Sequence, residues 1–160
     1  MSSAADQQPP LSHALRLALE SDCANGVEDV LRERRPEDLA ALRSLVSVDP
    51  TIKPSHRQSA VYLLGRWPDP DSAALIRDVM RRLDERERIN AVDSLGRLGN
   101  DEARTGVMEA THDRSPDVRR FAAYALARLR GPDGQARLAE MAASDPVDFV
   151  RDSAARAHKE

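Results

Sequence analysis

The chain has 160 residues, of which 41% are hydrophobic, 32% are charged and 3% are aromatic. This length is sufficient for one compact domain with a substantial core. Lys plus Arg total 24 and Asp plus Glu total 27, so a formal net charge of −3 excludes the strong positive charge of a general polyanion-binding protein. A single cysteine, Cys23, excludes an internal disulfide framework and any metal site built from several cysteines.

The first residues do not resemble a signal peptide, because acidic and polar residues occupy the place of its basic and apolar stretches. No run of about 18 apolar residues occurs, so no membrane span is predicted. We therefore expect a cytoplasmic protein without membrane attachment. Residues 1–10 carry two prolines and no periodicity, which predicts a disordered N-terminal tail.

Residues 11–35 contain two short amphipathic patterns, with Leu15 and Leu19 in the first and Val27 and Leu31 in the second. Apolar residues that stand three or four positions apart lie on one face of an α-helix. The segment is therefore predicted to form a helical pair that caps the N-terminal end of the fold.

From residue 36 onwards the sequence repeats itself. The aligned alanines are 31, 31 and 32 residues apart, and a leucine follows four positions later in three of the four repeats. Positions i and i+4 share one face of a helix, and a period of this length is typical of a helical array. The aligned residues are Ala60, Ala91, Ala122 and Ala154, followed by Leu64, Leu95, Leu126 and His158.

The same register extends into the preceding stretch, so each repeat is predicted to contain two helices. Fifteen residues before the aligned alanines stand Leu45, Ile76, Val107 and Ala139, and twelve before them stand Val48, Val79, Ala110 and Ala142. Small residues five positions after the alanines, among them Gly65 and Gly96, are predicted to let neighbouring second helices approach closely. The sequence thus predicts a single all-α domain of four repeats at residues 36–67, 68–99, 100–131 and 132–160.

The segment SPDVRRFAAYALARLRGPD, from Ser115 to Asp133, resembles the short bacterial HEAT-like repeats named after phycobiliprotein lyases. The resemblance extends over residues 36–160. It implies an α-α superhelix, a right-handed solenoid whose second helices line a concave surface. It also implies that an acidic turn residue pairs with an arginine near the start of each second helix. The matching arginines are Arg57, Arg88, Arg119 and Arg151, and only Asp117 stands two positions before one of them.

Helical geometry places a strip of polar and aromatic residues on the face of the second helices opposite the alanines. There, guanidinium groups can bind carboxylates or phosphates through forked hydrogen bonds, while tyrosine rings supply apolar contact. Alternatively, the arginines pair with neighbouring acidic residues and their stems cover apolar surface. The candidate partner-binding residues, named here the arginine–tyrosine strip, are Tyr62, Arg66, Asp93, Arg97, Arg120, Tyr124 and Arg128.

No motif for catalysis, metal binding or cofactor binding is found. The glycine-rich phosphate loops and the nucleophile elbow do not occur, and the four histidines are dispersed. Asp93 is the one acidic residue of the strip that is a candidate catalytic carboxylate, because it lies between Tyr62 and Tyr124.

The sequence therefore predicts a non-catalytic scaffold or adaptor that binds an acidic protein or peptide and uses no cofactor. Nucleic-acid binding, including activity like that of a DNA glycosylase, is the alternative. A role as a chromophore lyase or chaperone-like accessory protein is a second alternative, implied only by the resemblance. The oligomeric state is not predicted.

Overall fold

The computed structural model describes residues 11–20, 26–47, 49 and 51–159, and in these it contains ten α-helices and no β-strand. The predicted tail at residues 1–10, Cys23 and Val48 lie outside the described residues. None of the described helices combines the length and the apolar character that crossing a membrane requires. The helices are α1 His13–Glu20, α2 Val27–Glu33, α3 Pro36–Leu45, α4 Pro54–Leu64, α5 Ser72–Met80, α6 Glu85–Leu98, α7 Asp101–Ala110, α8 Pro116–Leu129, α9 Pro132–Ser144 and α10 Asp148–Ala157.

Consecutive helices pack together as pairs, from α1 with α2 to α9 with α10. The second helices also pack on one another in series, α4 on α6, α6 on α8 and α8 on α10, while α1 contacts α4 at the N-terminal end. One pair cannot bury both of its faces, so stacking of successive pairs supplies a continuous core. The predicted all-α solenoid is confirmed.

The core contains the aligned positions of the repeat. All four aligned alanines are 0% exposed, and Leu64, Leu95 and Leu126 beside them are buried. His158, which holds the leucine position in the last repeat, is exposed at the end of α10. This exchange of leucine for histidine gives the last helix pair a polar end.

Two glycines allow the second helices to pack backbone against backbone. A Cβ added at Gly65 would lie 2.5 Å from the Cβ of Ser94, and one added at Gly96 would lie 2.9 Å from the Cβ of Ala125. Ser94 also donates a hydrogen bond from its hydroxyl to the carbonyl of Val61 at 3.0 Å. The predicted close approach at Gly65 and Gly96 is therefore present in the structure.

The predicted register of α9 is wrong by one residue. Ala139 is exposed and Ala142 is only partly buried, whereas Leu138 and Met141 are 0% and 1% exposed. The core position of the first helices recurs every 31 residues through Ile76, Val107 and Leu138, but the alanine position shifts by 32 in the last repeat. The additional residue lies between Met141 and Asp145, in the last turn of α9, so a count backwards from Ala154 misplaces the core positions of α9.

In three repeats the arginine at the start of the second helix forms an ion pair with the next repeat, and it also donates hydrogen bonds to carbonyls of its own repeat. The Nε and Nη2 groups of Arg88 donate to Asp113 at 2.8 and 3.0 Å, and those of Arg119 donate to Asp145 at 2.8 and 2.9 Å. Arg57 donates to Glu87 at 2.9 Å. These guanidinium groups are mostly buried, and each fixes one helix pair against the following one.

The pairing of Arg119 with Asp117 that the resemblance implies is wrong. Asp117 instead forms an ion pair with Arg120 at 2.9 Å, three residues further along α8. Arg119 donates to Asp145, which lies 26 residues away in the sequence, in the turn between α9 and α10. For Arg88 and Arg119 the acidic partner thus belongs to the turn between the two helices of the next repeat.

The contact between Arg119 and Asp145 predicts a loss of stability in acid. Hydrogen bonds from Arg119 outweigh burial and hold the pKa of Asp145 below its ordinary value of 3.8. At pH values above the ordinary pKa of 3.8, the Asp145 carboxylate is ionised in both the folded and the unfolded chain, but it pairs with Arg119 only in the folded chain. Its full contribution to stability is therefore present there. As the pH falls through the lowered folded-state pKa, that contribution is lost.

We therefore expect the difference in unfolding free energy between the wild type and Asp145→Asn to be constant near neutral pH and to shrink below about pH 4. Urea unfolding, followed by helical circular dichroism at a series of pH values, measures this difference. A difference that stays constant down to the acid limit of folding would contradict the assignment.

Candidate partner-binding surface

Asp93 stands at the centre of the arginine–tyrosine strip. Its two carboxylate oxygens accept hydrogen bonds from Arg97 Nε at 3.0 Å on the same helix, and from Arg128 Nη1 at 3.2 Å on the next second helix. Burial raises the pKa of Asp93, but the hydrogen bonds and charges of Arg97 and Arg128 outweigh it and lower the pKa overall. Asp93 is therefore a carboxylate at neutral pH, which does not suit the role of a proton donor.

Arg66 and Tyr62 form the N-terminal part of the strip. The Arg66 guanidinium lies 3.4 Å from the centre of the Tyr62 ring, and its Nη1 donates to the Tyr62 carbonyl at 3.1 Å. Burial lowers the pKa of Arg66, and the nearby positive charges of Arg97 and Arg128 also lower it. The tyrosine ring thus holds this guanidinium in place close to two like charges.

These three arginines line one concavity of about 470 Å³. Arg66 follows α4, Arg97 belongs to α6 and Arg128 to α8, so successive repeats each supply one guanidinium. The wall also includes Gly65, Trp67, Pro68 and Leu98. Trp67 is 6% exposed, so it packs in the core while it also lines the concavity.

Arg120 and Tyr124 form the C-terminal part of the strip. The Arg120 guanidinium lies 5.3 Å from the ring of Phe121 and 5.4 Å from that of Phe149. Its buried Nε has no hydrogen-bond partner among the described residues. The Tyr124 hydroxyl donates to Ser153 Oγ at 3.1 Å, and its ring meets Phe121 edge to face.

A second concavity, of about 230 Å³, adjoins the first. It is lined by Asp93, Phe121, Tyr124, Ala125 and Arg128, so Asp93 and Arg128 border this apolar space while also contacting the arginine cluster. Tyr124 lies one helical turn before Arg128 on α8, or about 6 Å along the axis. A charged group and an apolar group of one ligand can therefore bind side by side.

Two aromatic residues of this surface are absent from the sequence prediction. Phe149 is 41% exposed and Phe121 is partly buried, and both contact Arg120. Phe121 directly precedes the aligned Ala122, and Phe149 lies five residues before Ala154. Five residues before an aligned alanine is again the face opposite the core, so extending the helical wheel by one turn identifies Phe149.

Comparison with known proteins agrees with this architecture. A family model described as HEAT repeats matches residues 39–114 and residues 80–159, which together span most of the chain. The chain belongs to the HEAT-repeat family. HEAT repeats commonly serve as protein-interaction scaffolds. No curated protein shows a significant match to the chain.

The sequence left two interpretations of the arginines in the arginine–tyrosine strip, binding of a ligand or pairing with neighbouring acidic residues. This HEAT-repeat surface has features of both. Arg97 and Arg128 do pair with an acidic residue, but they share the single carboxylate of Asp93, and Arg66 has only a carbonyl and a ring. The larger concavity is therefore lined by three positive charges, while the one carboxylate that pairs with two of them, Asp93, lines the second concavity. Within the described residues, no group of three or more His, Cys, Asp or Glu side chains could hold a metal ion.

Proposed function

We propose that this HEAT-repeat chain is a scaffold or adaptor that binds an acidic segment of a partner protein along the arginine–tyrosine strip. The observation that carries the proposal is the excess of positive charge at Arg66, Arg97 and Arg128, of which only Arg97 and Arg128 pair with an acidic residue, the single carboxylate of Asp93. Outside this cluster the chain has more acidic than basic residues. An anionic partner is therefore attracted to one place rather than to the whole surface.

The apolar concavity beside Tyr124 supports a peptide or protein as the partner. Phe121 and Tyr124 offer ring surface next to the arginine cluster, and Tyr62 is 42% exposed at its other side. Aromatic and arginine side chains contribute most of the binding energy in many protein interfaces. Nucleic acid is less well matched, because one isolated cluster on a chain of net charge −3 provides few phosphate contacts.

A change of both Arg97 and Arg128 to Glu tests the proposal. Both side chains are more than 40% exposed, so we expect the double variant to keep its helicity, with only a small fall in its unfolding midpoint from the two carboxylates placed beside Asp93. It should lose capture of any partner that the wild type binds, because the cluster then repels acidic groups. Affinity purification from the native cell, followed by titration of the purified partner, measures this loss.

Arg82 and Arg114 provide the matched control, since both are exposed in turns and neither forms a side-chain hydrogen bond or ion pair with the described residues. Their double change to Glu alters the net charge by the same amount away from the strip. A partner that is retained by the control variant and lost by the Arg97 and Arg128 variant supports the proposal. Equal capture by both variants would overturn it.

A further inference from the structure

The arginine cluster has unused hydrogen-bonding capacity as well as unbalanced charge. Asp93 takes one N–H group from Arg97 and one from Arg128, and Arg66 gives one to the Tyr62 carbonyl. The other N–H groups of these guanidiniums have no partner among the described residues, and each guanidinium carries five. The cluster therefore has free donors on three side chains that line one concavity.

The number of acceptors distinguishes the possible ligands. A carboxylate offers two oxygens in one plane with a single charge. A phosphodiester also carries one charge and has two free oxygens. A phosphomonoester has three terminal oxygens and a charge of about −1.5 to −2 at neutral pH. Only the last of these matches three guanidiniums whose charge exceeds that of Asp93 by two.

We infer that Arg66, Arg97 and Arg128 bind the phosphate group of a phosphorylated serine or threonine in the partner protein. This inference rests on the proposed function and specifies the chemistry of the acidic segment. The volume of about 470 Å³ accommodates a phosphorylated side chain with adjacent backbone. The apolar concavity that borders Arg128 takes a neighbouring side chain of the same segment.

The mutual repulsion of the cluster supports this assignment. Burial is the main cause that lowers the pKa of Arg66, and the charges of Arg97 and Arg128 add to it. A doubly charged anion relieves the repulsion among three guanidiniums more completely than a singly charged one does. Arg97 and Arg128 are 42% and 46% exposed, so the ligand reaches them from solvent.

The test uses pooled peptides that are random on both sides of one fixed central residue, made in phosphoserine, serine and glutamate versions. Retention of each pool on the immobilised full-length chain is measured, so no single flanking sequence decides the result. We expect the phosphoserine pool to be retained about tenfold more than either other pool. Inorganic phosphate and duplex DNA are added in parallel as competitors.

The location of binding is read from Trp67, which is the one tryptophan of the chain and lines the concavity. Its single indole N–H signal in a nitrogen–proton NMR spectrum should shift with the phosphoserine pool. Arg66→Gln combined with Arg128→Gln should abolish both the shift and the retention. Arg82→Gln combined with Arg114→Gln should change neither.

Each result decides a separate question. Equal retention of the glutamate and phosphoserine pools overturns the phosphate assignment, while the capture experiment with Arg97 and Arg128 still decides the proposed function. Free phosphate that competes at the same concentration as the phosphoserine pool overturns a phosphorylated protein as the source. Duplex DNA that displaces the pool more effectively than phosphate does would show a nucleic-acid site instead.

Discussion

Asp113→Ala is expected to lower the free energy of unfolding by about 3–5 kcal/mol, because it leaves a buried guanidinium without its counter-charge. The Arg88 side chain is 4% exposed and donates two of its hydrogen bonds to Asp113. Asp113 also accepts a hydrogen bond from the backbone N–H of Ser115, which holds the turn before α8. Urea unfolding followed by helical circular dichroism measures the loss.

Two further variants separate the ion pair from other effects of the substitution. Asp148→Ala removes a carboxylate that is 89% exposed and paired with Arg151, so we expect little change in stability. Combining Arg88→Met with Asp113→Leu removes both charges together and should recover much of the loss of the single variant. If Asp113→Ala were no more destabilising than Asp148→Ala, the proposed contribution of the buried pair would be wrong.

The helix pairs and most of the core could be predicted from the sequence, because each repeat meets the same neighbours. Ala91, for example, is surrounded by the preceding and following pair in the same way as Ala122, so the same residue is required at both positions. Because each repeat packs only on its neighbours, the same residue types recur at a fixed interval in the sequence. The alanine and leucine positions of the second helices are therefore both periodic and buried.

Contacts that join different repeats could not be predicted in the same way. Arg119 and Asp145 are 26 residues apart, and no pattern within one repeat indicates that the arginine reaches forwards. The burial of Leu138 instead of the predicted Ala139 also depends on the relation between two helices. One additional residue at the end of α9 leaves the apolar pattern of each helix intact while changing the offset between the two patterns.

In the candidate site, too, the exposed positions could be predicted from the sequence, but the contacts between repeats could not. The helical wheel predicts that Tyr62, Arg97 and Tyr124 are exposed on one side of the second helices, and each is exposed. The wheel does not give the rotamers, so the sharing of Asp93 by Arg97 and Arg128 across two helices could not be predicted. The charge excess that suggests a ligand follows from that sharing.

Leu126→Ala is expected to lower the free energy of unfolding by about 2–5 kcal/mol, whereas Tyr124→Ala should cost much less. Leu126 is 1% exposed and its Cδ2 lies against the start of α9, where a Cβ added at Gly134 would be 3.7 Å away. Removing its side chain leaves a cavity between α8 and α9. Tyr124 is 39% exposed, so truncation there mainly removes contact with Phe121 and the hydrogen bond to Ser153.

The comparison tests the orientation of α8, since both residues lie in the same part of the helix and both are changed to alanine. Tyr124→Phe serves as the control, because it removes the hydroxyl donor to Ser153 and keeps the ring. Its unfolding free energy should fall by about 0.5–1.5 kcal/mol at most. If truncation at Tyr124 were as costly as truncation at Leu126, α8 would be rotated about its axis. The part of the arginine–tyrosine strip that α8 carries, Arg120, Tyr124 and Arg128, would then face the core, which would remove the basis for a binding surface there.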